Sequence, residues 1–156
     1  MTAFVIILYM KLALVQLNPI IGNLAYNYSL IETEFKRYAN DGVDVIIFSE
    51  CILTGYPPLD LLLRPDFILS IEDYLQQLIR LTSKFPNTAL CIGTPRLLKE
   101  KLVNTAYIIN NGAIIFEQFK HNLPNYDIFD EKRYFKSGTQ QGVFEYKRAP
   151  DWNNNL

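Results

Sequence analysis

A run of β-branched and aromatic residues, VDVIIF at 43–48, constrains the fold of this chain more than any other segment. Such a run is typical of a β-strand that is covered on both faces in a parallel or mixed sheet. Glu50 follows two residues later, at the carboxyl end of the strand, where open α/β sheets place their ligand sites. The TGYPP segment at 54–58 can continue neither a strand nor a helix, because its glycine and paired prolines break both. The sequence therefore predicts a buried strand that ends at an acid beside a rigid turn.

The spacing alone leaves two interpretations of Glu50 open. It is either a solvated residue at the end of a strand or a functional carboxylate at a ligand site. A second acid, Asp60, follows on the far side of the turn, and its position favours a cap for the helix that comes next.

The rest of the chain repeats strand and helix patterns. Residues 11–18 have the pattern of a first strand, and residues 28–40 and 68–84 carry apolar side chains at helical spacing. A third strand is predicted at 89–93, and strands at 102–110 and 113–120 flank the turn sequence Asn-Asn-Gly. These elements predict an α/β fold of two layers, in which helices cover a mixed sheet that ends in an antiparallel hairpin.

Composition and charge exclude several classes of protein. A length of 156 residues, 49% of them hydrophobic, predicts a single globular domain, and a net charge of −1 offers no basic surface for nucleic acid or anionic membranes. Cys51 and Cys91 lie in apolar stretches of a chain without secretory features, so we expect reduced thiols and a cytoplasmic location. No spacing of histidine, cysteine and acidic residues indicates a metal site.

Both ends of the chain depart from these patterns. Residues 1–9, MTAFVIILY, are predicted to be an over-extended reading frame or a disordered leader, because they lack a positively charged start and Lys11 interrupts their apolar run well short of a membrane span. Met10 is an alternative start. Residues 148–156, RAPDWNNNL, are predicted to be an aberrant polar tail without strand pattern.

Lys120 ends the second strand of the predicted hairpin, again where a sheet presents side chains to a crevice. A lysine at such a position is ordinarily a solvated surface residue, and its spacing alone does not decide between that role and a catalytic one. The segment behind it, HNLPNYDIFDEKRYF at 121–135, is rich in aromatic side chains.

Two motifs carry a family resemblance: FSECILTGYPPLDLLL at 48–63 and FKHNLPNYDIFDEKRYF at 119–135. Together and in this order they resemble the nitrilase, or carbon-nitrogen hydrolase, superfamily. More narrowly, they resemble the amino-terminal glutamine-hydrolysing domain of glutamine-dependent NAD synthetases. The segments at 11–27 and 103–120 fit the same family. The resemblance implies an incomplete hydrolase domain over residues 10–147, folded as a partial nitrilase-type αββα sandwich with two layers within this chain.

The resemblance also implies a triad of glutamate, lysine and cysteine. Glu50 matches the family's general base, and Lys120 matches the lysine that stabilises the oxyanion. Tyr126 and Phe129 match positions that line the glutamine pocket, and Glu131 is a candidate for a supporting acid beside the lysine. The residue types suit the chemistry, because a thiol of ordinary pKa needs a base and an amide oxygen that turns anionic needs a positive charge.

The nucleophile is the member of the triad that the sequence does not match. The family places this cysteine on a strand after the lysine motif, where this chain has none. Cys51 would face away from Glu50 if the segment is extended, and Cys91 lies inside a strand. We therefore expect the chain alone to be inactive, because loss of a nucleophile removes most of an enzyme's acceleration. No cofactor is expected in this chain, since ATP and Mg²⁺ are implied only for a synthetase domain.

Three hypotheses follow from this pattern. The chain is an inactive fragment of a glutamine-dependent NAD synthetase, a subunit completed in trans by a separately encoded fragment, or a non-catalytic glutamine-binding or scaffold protein. Glutamine is the expected ligand, the downstream fragment is the candidate partner, and the family is homo-oligomeric. We also expect weak stability or aggregation in isolation, because an uncovered sheet edge would be exposed.

Overall fold

A computed structural model describes residues 10–139 and 142–146. The predicted leader at 1–9 and the polar tail at 148–156 lie outside the described residues, as does residue 147. The elements in chain order are β1 (Leu12–Val15), α1 (Leu24–Asn40), β2 (Val45–Phe48), a 3₁₀ helix (Leu59–Leu63), α2 (Pro65–Thr82), β3 (Ala89–Leu98), β4 (Lys101–Asn110), β5 (Ala113–Phe119) and α3 (Glu131–Tyr134).

The five strands form one sheet in chain order. β1, β2 and β3 are parallel, and β3, β4 and β5 are antiparallel. Each parallel connection contains a helix, because parallel neighbours need a crossover, whereas β4 and β5 are joined by a tight turn. Asn111 and Gly112 both adopt positive φ in that turn, as the Asn-Asn-Gly sequence predicts. The predicted mixed sheet with a terminal hairpin is confirmed.

The helices cover one face of the sheet. Their apolar side chains meet those of alternate strand residues in a single core, in which no side chain of the following group is more than 2% exposed: Ile31, Phe35, Ile46, Ile71, Leu75, Leu78, Leu90, Ile92, Tyr107 and Ile109. Asn23 caps α1 by accepting a hydrogen bond from the Tyr26 amide at 3.1 Å. The helix and the sheet are thus the two layers that the sequence predicts.

The expectation that Asp60 caps α2 is wrong. Asp60 lies inside the 3₁₀ helix, and Arg64 occupies the N-cap position of α2 without a side-chain hydrogen bond. The Asp60 carboxylate instead accepts a hydrogen bond from the Tyr134 hydroxyl at 2.6 Å and lies 3.3 Å from the Arg133 guanidinium. It therefore connects the segment after the turn to α3.

The two long helices, α1 and α2, leave the opposite face of the sheet uncovered, and only at β5 does the described segment 142–146 pack on it, with the Phe144 ring centroid 5.4 Å from that of Phe116. Leu14 on β1 is 80% exposed, and the residues in register with it across the sheet are Ile47, Cys91, Ile108 and Phe116. We call this apolar surface the open face. Within the described part of the chain, no helix is both long enough and apolar enough to span a membrane.

Candidate active site

Glu50 is placed by the end of β2 and by a glycine on the neighbouring strand. The chain turns directly after β2, and the main chain of residues 50 and 51 passes close over Gly93 on β3. A Cβ atom on Gly93 would lie 2.9 Å from the Glu50 Cα and 3.0 Å from the Cys51 nitrogen. Only glycine allows so close an approach.

Lys120 is placed by backbone hydrogen bonds just beyond β5. Its amide donates to the Asn104 carbonyl oxygen at 2.8 Å, and its own carbonyl oxygen accepts from the Gly138 amide at 2.9 Å. The main chain of Lys120 is therefore fixed on both sides, and its side chain leaves from a rigid position.

The Lys120 ammonium lies between two carboxylates. Its Nζ atom is 2.9 Å from Glu50 Oε1 and 2.8 Å from Glu131 Oε1. The Glu50 side chain is 45% exposed, whereas the Glu131 side chain is only 5% exposed. The structure thus brings together the predicted base, the predicted oxyanion lysine and the predicted supporting acid, with one carboxylate facing solvent and the other buried.

Glu50 and Lys120 line a cavity of about 320 Å³. The other lining residues are Gly93, Asn104, Thr105, Ala106 and Gln118. Gly93, Ala106 and Gln118 lie two residues along their strands from Cys91, Ile108 and Phe116, so the cavity lies on the open face. A substrate carboxamide that approached this face would meet both the carboxylate and the ammonium.

Two further side chains hold the carboxylates, and sequence reasoning missed both. The Tyr56 hydroxyl donates to Glu131 Oε1 at 2.7 Å, and Asn104 Nδ2 donates to Glu50 Oε1. A signal for Asn104 is present in the sequence, because it is a polar residue inside the predicted strand at 102–110, whereas Tyr56 lies in the turn segment at 54–58, where no local pattern marks it.

The carboxylates around Lys120 favour the protonated, positively charged form of its side chain. Burial acts to lower the pKa of Lys120, but hydrogen bonds to Glu131 and Glu50 outweigh it, and the pKa is raised. The pKa of Tyr56 is also raised, first by burial and then by its hydrogen bond to Glu131. At neutral pH the site therefore presents a positive charge and a neutral hydroxyl donor.

Phe129 adjoins the site, and Tyr126 adjoins Phe129. The Phe129 ring centroid lies 6.3 Å from that of Tyr56 and 5.5 Å from that of Tyr126. Phe129 lines a shallow groove with Tyr56 and Glu131, whereas Tyr126 is 68% exposed at the surface. Their role in binding glutamine stays a prediction.

Neither cysteine of the sequence is placed as a nucleophile. Cys51 is fully buried, and its φ of 50° shows that the segment is not extended, so the premise used to separate it from Glu50 is wrong. Its thiol instead lies 3.8 Å from Asn104 Oδ1. Burial, followed by the charge of Glu50, raises the pKa of this thiol to about 12. Cys91 lies within β3, and burial raises its pKa as well.

Known proteins share this arrangement of strands, helices and motifs. The carbon-nitrogen hydrolase family matches residues 11–150. A glutamine-dependent NAD(+) synthetase from Synechocystis sp. is 40% identical over 147 residues, which is 88% of this chain and 26% of that protein. The solved glutamine-dependent NAD+ synthetase from Acinetobacter baumannii superimposes with a TM-score of 0.78 at 35% identity, over 88% of this chain and 26% of that one.

An amidase from Nesterenkonia sp. shares the fold at 20% identity, with a TM-score of 0.77 over 88% of this chain and 51% of that one. The chain spans about a quarter of the length of the synthetases that it matches. The match of the family to nearly the whole described chain, together with the 40% identity, identifies its class. This protein belongs to the carbon-nitrogen hydrolase family.

Proposed function

We propose that this chain supplies the general base and the oxyanion-stabilising lysine of a glutamine amide hydrolase, of the kind that provides ammonia in glutamine-dependent NAD synthetases. The observation that supports this most is the contact of 2.9 Å between Lys120 Nζ and Glu50 Oε1 at a cavity on the open face. The names of the relatives favour glutamine as the amide.

The geometry suits thiol-dependent hydrolysis of an amide. Glu50 would accept the proton of a thiol, whose sulfur would then bond to the carboxamide carbon. The carbonyl oxygen would become negatively charged and would be stabilised by the Lys120 ammonium. When the carbon–nitrogen bond breaks, Glu50 would return the proton to the leaving nitrogen, and ammonia would form. Water would then attack the thioester carbon, with Glu50 accepting a proton from the water. The carbon–sulfur bond would break to give glutamate, and the proton on Glu50 would return to the sulfur to restore the thiol.

Neither cysteine of this sequence is placed to supply the thiol for this reaction. Cys51 is buried and keeps its proton, and Cys91 lies within β3, where burial raises the pKa of its thiol. We therefore expect the 156-residue chain alone not to hydrolyse glutamine, and a partner fragment to supply the cysteine. ATP and Mg²⁺ would act only in a synthetase domain, and we place the protein in the cytoplasm.

Complementation with a relative tests this proposal. The chain is mixed with the separately produced remainder of the Synechocystis synthetase, and ammonia release from glutamine is measured. We expect release only in the mixture, and a loss of at least about a hundredfold with Glu50→Gln, because the base is removed. The matched control is Glu34→Gln on α1, whose carboxylate pairs with Arg37 and with no residue of the site, and which should leave the rate unchanged.

Two results would contradict the proposal. One is ammonia release by the chain alone, and the other is a mixture that forms a complex and releases ammonia equally well with Glu50→Gln. A third result, glutamine binding by calorimetry without hydrolysis in the complex, would favour a glutamine-binding protein, which the lack of a suitably placed cysteine also supports.

A further inference from the structure

Asn104, which the family resemblance does not single out, contacts both Glu50 and Lys120. It lies within β4 and is 4% exposed. Its Nδ2 atom donates to Glu50 Oε1, its Oδ1 atom lies 3.8 Å from the Cys51 sulfur, and its carbonyl oxygen accepts from the Lys120 amide at 2.8 Å. One buried residue thus contacts the base through its side chain and the lysine through its backbone.

The buried thiol fixes which way the Asn104 amide points. With a pKa of about 12, Cys51 keeps its proton at neutral pH and can donate it to an acceptor. The acceptor beside it is the carbonyl oxygen of the Asn104 side chain. The NH₂ group must then face Glu50, which is the orientation that a carboxylate requires.

The Asn104 amide and the Lys120 ammonium both bind the same oxygen of Glu50, Oε1. This arrangement holds Oε1 with two donors, although the Glu50 side chain is 45% exposed and would otherwise sample several rotamers. Neither of these bonds uses the second oxygen, Oε2, which the proposed mechanism requires to accept a proton from a thiol.

We propose that Asn104 is a positioning residue for the general base: its side-chain amide, held by Cys51, orients the Glu50 carboxylate toward Lys120. This inference rests on the proposed function, since it gives that base its orientation. The Asn104 side chain donates to Glu50, so the proposed action runs through that carboxylate.

A double-mutant cycle, in which the pKa of Lys120 is the measured quantity, tests this proposal. The pKa of Lys120 is measured by NMR titration of its labelled side chain in the wild-type chain, Asn104→Ala, Glu50→Gln and the double variant. Asn104→Ala should lower the pKa of Lys120 by about 0.5 to 1, because a released carboxylate leaves the ammonium. The same substitution should change nothing when Glu50 is already replaced, and this dependence on Glu50 is something a merely structural role would not produce.

The matched control is Asn110→Ala. This asparagine lies on the same strand and donates to the Pro86 carbonyl at 3.0 Å and the Thr88 carbonyl at 3.1 Å, away from the site. It should leave the pKa of Lys120 unchanged. If Asn104→Ala does not fold, Asn104→Ser, which is too short to reach Glu50, replaces it in the cycle.

An equal shift in both backgrounds would overturn the inference, because Asn104 would then act on Lys120 through the backbone. No shift in either background would overturn it as well. The readout needs no turnover, so its failure is distinct from a failure of the proposed amide hydrolysis.

Discussion

The two faces of the sheet are built from the same strands but differ in what covers them. On the helix-covered face, Ile46, Leu90 and Ile92 are fully buried. On the open face, the register from Leu14 to Phe116 is apolar as well, yet Leu14 is 80% exposed. The described chain therefore completes the core on one side and leaves an apolar surface on the other, and the candidate site lies on that second side.

The same division appears around the Lys120 ammonium. One of its carboxylate partners, Glu131, is buried and is also held by Tyr56, while the other, Glu50, faces the open side. The buried partner fixes the lysine, and the exposed partner remains available for chemistry. Buried contacts thus hold Lys120 in place, while its exposed partner Glu50 faces the cavity on the open face.

The largest expected difference between the faces is in stability. Leu78→Ala removes a fully buried side chain from α2 and should lower the free energy of unfolding by about 2 to 5 kcal/mol. Leu14→Ala, the same change on the open face, should cost less than about 0.5 kcal/mol in the isolated chain. Urea unfolding followed by circular dichroism measures both. Similar losses for the two variants would mean that the open face is covered.

A smaller difference in the free energy of unfolding is expected between variants of the two carboxylates that contact Lys120. Glu131→Gln removes the buried charge that faces Lys120 and should lower the free energy of unfolding by about 2 kcal/mol. Glu50→Gln removes the more exposed partner and should cost less than about 1 kcal/mol. Thermal or urea unfolding of both variants tests the order. A larger loss of stability for Glu50→Gln than for Glu131→Gln would mean that Glu50, and not Glu131, is the carboxylate that stabilises the fold.

The two thiols should differ by at least about tenfold in reactivity. Cys51 is fully buried beside Asn104 with a pKa of about 12, whereas Cys91 lies in the open-face register and is only partly buried. Labelling of the native chain with a thiol reagent near pH 8, followed by peptide mass spectrometry, should modify Cys91 first. Preferential modification of Cys51 would contradict its burial and its contact with Asn104.

The smallest expected effect is a pH dependence from the ammonium. The pKa of Lys120 is higher in the folded chain than in the unfolded one, so its contribution to stability is complete below the ordinary lysine pKa of about 10.4 and is lost as the pH rises through the folded value. Wild-type chain should therefore lose more stability between about pH 9 and pH 12 than Lys120→Gln, by less than about 1 kcal/mol. Lys84→Gln, in the exposed turn after α2, serves as the control. An identical pH profile for wild type and Lys120→Gln would contradict the pairing.

The sequence predicts the fold well because its periodic patterns are strong. The run before Glu50, the two amphipathic helices and the Asn-Asn-Gly turn each specify their element locally, and the structure contains all of them. The site is harder to predict, because Glu50 and Glu131 meet Lys120 only in the tertiary structure. The family motifs pointed to these three, but Asn104 and Tyr56 contact them across 54 and 75 residues of chain, where local patterns carry no information.

Asp60 and Cys51 show the opposite failure. The local position of Asp60 predicts a helix cap, and that of Cys51 predicts an extended segment. In both cases long-range contacts determine the observed conformation instead. Asp60 binds Tyr134 and Arg133 from α3, and Cys51 takes a left-handed backbone conformation that turns its thiol toward Asn104.

The described chain assembles the Glu50, Lys120 and Glu131 cluster by itself, although α1 and α2 leave the open face uncovered. NMR detection of scalar couplings across hydrogen bonds, from the Lys120 Nζ nitrogen to the side-chain carboxyl carbons, tests it most directly in the isolated 156-residue chain. The structure predicts couplings to both Glu50 and Glu131. Absence of any coupling to Glu50, with the chain folded, would contradict the claim.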